Sequence, residues 1–353
     1  MEQEKIEILR STAAPLLAWY AGHRRDLPWR HTRDPYRIWV SEIMLQQTRV
    51  AAVIPYYERW MAALPDVAAL AAVGEETLLK LWEGLGYYSR ARNLHKAAKL
   101  IVSDLGGVFP ATREGLLTLP GVGEYTAGAV ASIAFGQRVP AVDGNVLRVA
   151  ARVADVRGNV LEAGVKRDIA AAMEATVPAA DPGGYNQALM DLGATVCLPG
   201  GAPLCGDCPL RDLCRARALG LQAELPLREK RAARRREALT VYLLVREGRV
   251  ALRKRPGRGL LAGLWEFPHV PGERDEAAAA GPVADWGLTP LDWRERLAGR
   301  HLFTHVEWSM TGYLLTVSGP GPEAFFWADR EALEGLAVPS AFGKFLEKIK
   351  EVL

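Results

Sequence analysis

The stretch LPGVGEYTAGAV (residues 119–130) decides the fold of the N-terminal half of the chain. Pro120, Gly121 and Gly123 predict a tight turn, and the small residues that follow predict a helix. Glycines let the backbone approach another molecule closely, and the free N–H groups at the start of a helix bind anions such as phosphate. The same residues also suit an ordinary helix–helix turn, and the stretch alone does not decide between the two interpretations.

Apolar residues recur at helical spacing around this stretch, from the N-terminus to about Leu219, as in Leu94, Ala97, Leu100 and Ile101. Alternating β-branched runs are scarce there. Residues 1–219 are therefore predicted to form an all-helical domain.

A different composition follows. The residues 226–237 read PLREKRAARRRE, and their many like charges predict a solvated linker, which we place at residues 220–237. Strand patterns at residues 239–245, 250–252 and 313–317 then alternate with helical ones, so residues 238–353 are predicted to form an α+β domain.

The composition sets limits on the class of protein. A length of 353 residues favours two domains, and 49% hydrophobic with 24% charged residues is typical of a globular protein. A net charge of +3 permits a nucleic-acid partner without requiring one. No apolar run reaches the roughly 18 residues that cross a bilayer, and the charged start MEQEKIEILR is unlike a secretion signal. We therefore expect a protein of the cell interior with no membrane partner.

All four cysteines of the chain lie within 18 residues, in the pattern C-x7-C-x2-C-x5-C. In a reducing compartment such clustering favours a metal or cluster site over disulfides. Zinc ribbons usually offer two C-x2-C pairs, whereas four crowded thiolates suit a cubane iron–sulfur cluster. The spacing favours the cluster and leaves zinc as the alternative. The four residues are Cys197, Cys205, Cys208 and Cys214.

Two carboxylates stand in unusual settings. Glu42 lies in a helical pattern among Trp39, Ile43 and Leu45, and an apolar setting raises the pKa of a carboxyl group enough for it to act as an acid. Asp143 precedes a helix whose dipole favours the ionised form. Each also has an ordinary interpretation, as a solvated helix residue and as a helix cap.

Taken together, the hairpin, VDGN at residues 142–145 and the cysteine loop resemble the MutY-type adenine DNA glycosylases, of the helix-hairpin-helix DNA glycosylase superfamily. The resemblance covers nearly the whole chain. It implies a helical core of two lobes, one a six-helix barrel and the other bearing an iron–sulfur cluster, followed by a C-terminal α+β Nudix-like domain. It further implies a monomer that excises adenine mispaired with 8-oxoguanine or guanine in double-stranded DNA.

The resemblance also assigns catalytic roles. Glu42 protonates adenine at N7 and later activates water, Asp143 stabilises the oxocarbenium-like sugar, and Asn145 orients the catalytic group. Tyr125 stands where endonuclease III carries its Schiff-base lysine. Because a phenol cannot form an imine, no efficient strand-cleaving lyase step is expected.

The cluster implied by the resemblance is a [4Fe–4S] cluster on the four cysteines. The family's first gap is six residues, and here it is seven. Gly200 and Gly201 can absorb the extra residue as a bulge.

Adenine must rotate out of the duplex to react, so the resemblance also implies base-binding residues. Trp29 and Arg30 are assigned to the pocket and Gln187 to the adenine edge. Gln47 and Tyr87 are assigned to insertion beside the opposite base. Gly121 and Gly123 are assigned to the DNA backbone, which the hairpin contacts without reading sequence.

Residues 252–270 resemble the substrate loop of a Nudix fold, but the glutamate-rich metal box of active Nudix hydrolases is missing downstream. The family reads 8-oxoguanine there with a Phe-Ser-His loop, and this chain has Phe303, Thr304 and His305. Threonine keeps the hydroxyl donor and acceptor. The alternative is that these residues are only a strand edge and its packing.

Two rival functions remain at this point. One is an endonuclease III-type pyrimidine glycosylase and lyase, against which Tyr125 and the C-terminal domain both argue. The other is a noncatalytic DNA binder or redox sensor, in which Glu42 and Asp143 are scaffold.

Overall fold

The computed structural model describes residues 1–228 and 233–353. They form two compact units, the first of Met1–Ala72 and Asn93–Lys230 and the second of Val73–Arg92 and Arg231–Leu353. The predicted domain boundaries stay predictions, and residues 229–232 of the predicted linker lie outside the described residues.

Residues 1–228 contain helices and no strand, so the prediction of a helical N-terminal part is confirmed. Two short 3-10 turns, Pro28–Arg30 and Cys205–Asp207, interrupt the loops. The helices are α1 Gln3–Ser11, α2 Ala13–His23, α3 Pro35–Leu45, α4 Val50–Ala63, α5 Val67–Ala72, α6 Glu75–Leu81, α7 Ser89–Asp104, α8 Arg113–Leu117, α9 Glu124–Phe135, α10 Gly144–Val153, α11 Ala163–Thr176, α12 Pro182–Thr195 and α13 Arg215–Ala218.

The predicted hairpin is formed by α8, the turn after it and α9. Gly121 has a φ of 77°, and a Cβ there would lie 2.5 Å from Cβ of Asn93. In α9 itself a Cβ on Gly128 would lie only 2.0 Å from the carbonyl oxygen of Pro140. Both positions therefore require glycine. Without side chains there, the backbone of α9 lies directly against the segment that leads to α10.

Residues 233–353 of the second unit form a seven-stranded sheet and three α-helices, which confirms the α+β prediction. Its main strand order is β3-β2-β1-β6-β5, with β4 on β1 and β7 on β2. The elements are β1 Arg235–Arg246, β2 Arg249–Lys254, β3 Trp265–Glu266, β4 His269–Pro271, α14 Glu276–Asp285, β5 Thr289–Leu302, β6 Val306–Ser318, β7 Phe325–Ala328, α15 Arg330–Gly335 and α16 Gly343–Val352.

β1 and β6 run parallel at the centre of this sheet, where both faces are covered. Along β1, Leu243 contributes to the core beneath α15 and α16, whereas its neighbour Leu244 contributes to the core beneath α14. β5 has a largely exposed burial pattern. Its apolar residues do not alternate, and the sequence analysis did not predict it.

The helical segment Val73–Arg92 groups with this sheet. Glu83 accepts a hydrogen bond from the backbone N of Val338 at 2.9 Å, and Lys80 donates to the carbonyl of Leu336 at 3.0 Å. Arg92 donates to the carbonyl of Ala262 at 2.7 Å.

Among the described residues, no helix combines the length and the apolar character needed to cross a membrane.

The ring of Phe345 on α16 lies over two glycines of the sheet. A Cβ on Gly312 would lie 2.4 Å from Cε1 of the ring, and a Cβ on Gly299 would lie 2.8 Å from its Cζ. We expect Gly312→Ala to lower the free energy of unfolding of the second unit by about 1–3 kcal/mol, because the buried ring must shift. Chemical denaturation measures this. Gly343→Ala is the control, since a Cβ there meets nothing within 4 Å, and an equal loss in both variants would contradict the packing argument.

Candidate active site

A cavity of about 520 Å³ lies in the first unit, between α3, α9 and the start of α10. Seven of the predicted site residues line it together, although they come from distant parts of the sequence. They are Trp29, Arg30, Glu42, Gln47, Tyr125, Asp143 and Asn145.

Glu42 lies on α3, a helix whose residues Ile38–Met44 are all buried. The side chain is 5% exposed, and its Oε2 accepts a hydrogen bond from the Tyr125 hydroxyl at 2.5 Å. Burial raises the pKa of Glu42, while that hydrogen bond and the charge of Arg30 lower it. The net direction agrees with the predicted acid, because a carboxyl group with a raised pKa keeps its proton closer to neutral pH.

Tyr125 lies in the first turn of α9, immediately after the glycine-rich turn. Burial raises its pKa well above the ordinary value, and the carboxylates of Glu42 and Asp143 raise it further. The phenol therefore stays protonated and serves as a hydrogen-bond donor. Its hydroxyl also lies 3.7 Å from Sδ of Met190.

Asp143 caps α10. Its Oδ1 accepts from the backbone N–H groups of Asn145 at 2.9 Å and Val146 at 2.8 Å, and its Oδ2 accepts from Nδ2 of Asn145 at 2.8 Å. Burial nevertheless raises the pKa of Asp143, with these hydrogen bonds acting against the rise. The expectation that the helix start favours the ionised form of Asp143 is therefore wrong for the net direction of its pKa, because desolvation outweighs the helix cap. What distinguishes the two acids is that Asp143 accepts three hydrogen bonds, each of which favours its ionised form.

Arg148 connects this site to the cysteine loop, a link that the sequence analysis missed. Its Nη2 donates to Oδ1 of Asn145 at 2.8 Å and to the carbonyl of Gly193 at 2.7 Å, and its Nε donates to the carbonyl of Cys197 at 2.8 Å. The residue stands one turn after Asn145 on α10, and that spacing is the only signal of it in the sequence.

Gln187 does not line the cavity. Its Oε1 accepts from the Tyr20 hydroxyl at 2.7 Å, and that hydroxyl accepts from Nη1 of Arg30 at 3.3 Å. Gln187 is thus joined to the cavity wall through Tyr20 and Arg30, and its contact with a base stays a prediction.

The two predicted insertion residues share an uncommon backbone conformation. Gln47, in the first unit, has a φ of 59°, and Tyr87, in the second, has a φ of 46°. Both side chains are exposed. Left-handed backbone at non-glycine residues costs energy and is concentrated at functional sites.

Phe303, Thr304 and His305 form the turn between β5 and β6, closed by a hydrogen bond from Phe303 N to the Val306 carbonyl at 2.8 Å. Phe303 packs on Trp308 with ring centroids 4.9 Å apart, as the packing alternative expects. The Thr304 hydroxyl is hydrogen-bonded to that of Tyr87 within the same unit. His305 is exposed.

The four cysteines line one pocket, which also receives Arg152 from α10. They are free and half-buried. The seven-residue gap after Cys197 forms a loop closed by a hydrogen bond from Leu204 N to the Val196 carbonyl at 2.9 Å. Gly200 takes up a φ of 63° in it, as the bulge interpretation expects.

Among the described residues, no three cysteine, histidine or acidic side chains converge as ligands of one metal ion. A cubane cluster takes each thiolate on a different iron, so its ligands surround a volume instead of a point. The donor set of four thiolates around one pocket fits such a group.

At the hairpin, the N-cap of α9 is Gly123. Because glycine has no side chain, the cap position offers no hydrogen-bond acceptor of its own to the N–H groups at the start of that helix.

Tyr125→Phe tests the electrostatics of the cavity. The hydroxyl stabilises ionised Glu42, so its removal should raise the pKa of Glu42 further. Isotope-edited infrared titration of the Glu42 carboxyl measures this. Tyr56→Phe, on α4, is the control and should leave the titration unchanged. A fall in the Glu42 pKa in Tyr125→Phe would contradict the assigned hydrogen bond.

Family models match both parts of the chain. Residues 40–174 match the model described as HhH-GPD superfamily base excision DNA repair protein. Residues 240–348 match the model of the NUDIX domain.

Among solved structures, a thermostable thymine-DNA glycosylase is 30% identical, with a TM-score of 0.55, covering 60% of this chain and 98% of that one. The endonuclease III of a non-covalent DNA complex is 25% identical, with a TM-score of 0.52, and the match covers 62% of this chain and 98% of that one.

Among curated relatives, the adenine DNA glycosylase of Homo sapiens is 37% identical over 93% of this chain and 72% of its own length. The adenine DNA glycosylase of Rattus norvegicus is 36% identical over 95% of this chain and 77% of its own length. The chain therefore belongs to the adenine DNA glycosylase family.

Proposed function

We propose that the protein hydrolyses the N-glycosidic bond of adenine in double-stranded DNA where the adenine is mispaired with 8-oxoguanine or guanine. The observation that carries this proposal is the pairing of buried Glu42 with Tyr125 in a cavity that Asp143 also lines. Adenine is the base in the names of the family's curated members.

The cavity residues divide the reaction between them. Glu42 gives its proton to N7 of the flipped adenine, so that the base leaves as a neutral molecule when the C1′–N9 bond breaks. The sugar left behind has oxocarbenium character, and the carboxylate of Asp143 stabilises its positive charge. Glu42, now ionised, accepts a proton from the water that attacks C1′. Asn145, held by Arg148, keeps the Asp143 carboxylate in place.

Tyr125 separates this activity from that of a glycosylase with a lyase step. A lyase step needs an amine that forms an imine with the sugar, and a protonated phenol cannot supply one. The product is therefore an abasic site in an unbroken strand.

The second unit supplies recognition of the opposite base. The adjacent hydroxyls of Tyr87 and Thr304 offer both a donor and an acceptor, which suits the N7–H and the O8 that distinguish 8-oxoguanine. Tyr87, exposed on strained backbone, is suited to fill the gap that a flipped nucleotide leaves. The uncapped start of α9 binds a backbone phosphate.

Cys197, Cys205, Cys208 and Cys214 would hold a [4Fe–4S] cluster. When bound, such a cluster supplies a redox-active centre and four crosslinks between the loop residues. The chain's own contribution is positional, because Arg148 ties the carbonyl of Cys197 to Asn145.

Glu42→Gln tests the function. Single-turnover assays on A:8-oxoguanine, A:G, A:C and oxidised-pyrimidine duplexes should show adenine release from the first two by the unchanged protein. The variant should bind DNA equally and lose at least about 100-fold in rate, because the amide cannot donate the proton. Strands should stay intact until alkali is added.

Glu58→Gln is the matched control, since Glu58 is exposed on α4. Unchanged turnover in Glu42→Gln would refute the acid assignment. DNA binding without base release by the unchanged protein would favour the noncatalytic binder, and release of oxidised pyrimidines with strand cleavage would favour the endonuclease III type.

Metal analysis tests the cofactor. The purified protein should contain equimolar iron and acid-labile sulfide, and Cys208→Ala should lower both because one iron loses its thiolate. Asp207→Asn, at a neighbouring exposed residue, should leave both unchanged. Zinc without sulfide would establish the alternative site.

A further inference from the structure

Asp191 is a buried acid that neither the predicted site nor the proposed mechanism uses. It lies on α12 with no exposed surface. Its Oδ1 accepts from Nε and Nη2 of Arg25 at 2.9 and 2.6 Å and from Nη2 of Arg30 at 3.1 Å, and its Oδ2 accepts from the backbone N of Arg25 at 3.2 Å. One carboxylate thus neutralises one of two guanidinium charges.

Both arginines line the cavity that holds Glu42. The ionisable groups that act on Glu42 are Tyr125 on α9, Asp143 at the start of α10 and Arg30 in the 3-10 turn. Of these, Arg30 is the only one that carries a positive charge. A guanidinium beside a carboxyl group favours the ionised form, and an ionised Glu42 has no proton to give.

Two hydrogen bonds hold the Arg30 guanidinium next to Asp191. Its Nη2 is bound to that carboxylate, and its Nη1 is bound to the Tyr20 hydroxyl. The side chain is 7% exposed, so solvent does little to screen its charge. A buried arginine that lost this carboxylate would turn to the next carboxylates available, and the cavity offers Glu42 and Asp143.

We propose that Asp191 is a positioning residue for the catalytic acid: by binding Arg30 and Arg25 together, it keeps the Arg30 guanidinium from pairing with Glu42 and so preserves the proton that Glu42 gives to adenine. This inference rests on the proposed function. It explains why an acid lies behind two arginines on the wall of a site that must accept an uncharged base.

The pH dependence of single-turnover adenine release tests the inference. Activity is present while Glu42 is protonated and is lost as pH rises through its pKa. Asp191→Asn keeps the shape of the side chain but removes its charge, which changes the group of Asp191, Arg25 and Arg30 from a net +1 to a net +2. We expect the descending limb to move to lower pH by about one unit, with the rate recovering below it.

Two further variants establish the route of the effect. Arg30→Gln should move the limb to higher pH, and in that background Asp191→Asn should shift it less than it does in the unchanged protein. Arg25→Gln, which removes one positive charge at a partly exposed side chain, should also move the limb upward, and it keeps the test open if Asp191→Asn fails to fold. Infrared titration of Glu42 in the full chain reads the same shift without turnover.

Three results would count against these proposals, and each has a different pH–rate profile. A rate that falls equally at every pH, with the limb in place, would show that Asp191 is only structural and would overturn the inference. An equal shift in both backgrounds would show that the effect does not run through Arg30 and would overturn it too. If the unchanged protein releases no adenine, the proposed function has failed instead.

Discussion

The chemistry proposed for the first unit depends on one constraint, the burial of the Glu42 carboxyl group. The pKa of Glu42 is raised because α3 is buried along most of its length, and the carboxyl group accepts a hydrogen bond from the hydroxyl of Tyr125. That contact requires α9 to start beside α3, which the glycine-rich turn provides. The fold therefore places a weak acid where water is scarce, and the chemistry proposed for the site follows from that placement.

The charged groups of the cavity are stabilised by hydrogen bonds to residues that take no direct part in the proposed reaction. Asp143 is buried but accepts three hydrogen bonds, so the cost of its ionisation is partly offset. Arg30 is buried but bound to Asp191. The two charged groups that act on Glu42, Asp143 and Arg30, are thus each held by hydrogen bonds to other residues. In the second unit, the proposed contacts with the opposite base come from the hydroxyls of Tyr87 and Thr304.

Short-range patterns predicted much of this molecule. The helix-hairpin-helix turn, the cap at Asp143 and the left-handed Gly200 all follow from local residue chemistry, and the sequence indicated each of them. Long-range and electrostatic features were different. Arg148 and Asp191 look like ordinary helix residues until α10 and α12 are packed together, and β5 lacks the alternation of apolar residues by which a half-buried strand is recognised. The pKa of Asp143 was misjudged because burial cannot be read from a turn motif.

Phe345, seated over Gly299 and Gly312, ties the order of synthesis to the order of folding in the second unit. The parallel neighbours β1 and β6 are separated by about 70 residues, and the ring that fills the hollow above β5 and β6 belongs to a helix that is translated later still. A sheet that forms before α16 is translated therefore has an open hollow at Gly299 and Gly312. Chaperone binding to nascent chains should therefore persist until that helix has left the exit tunnel.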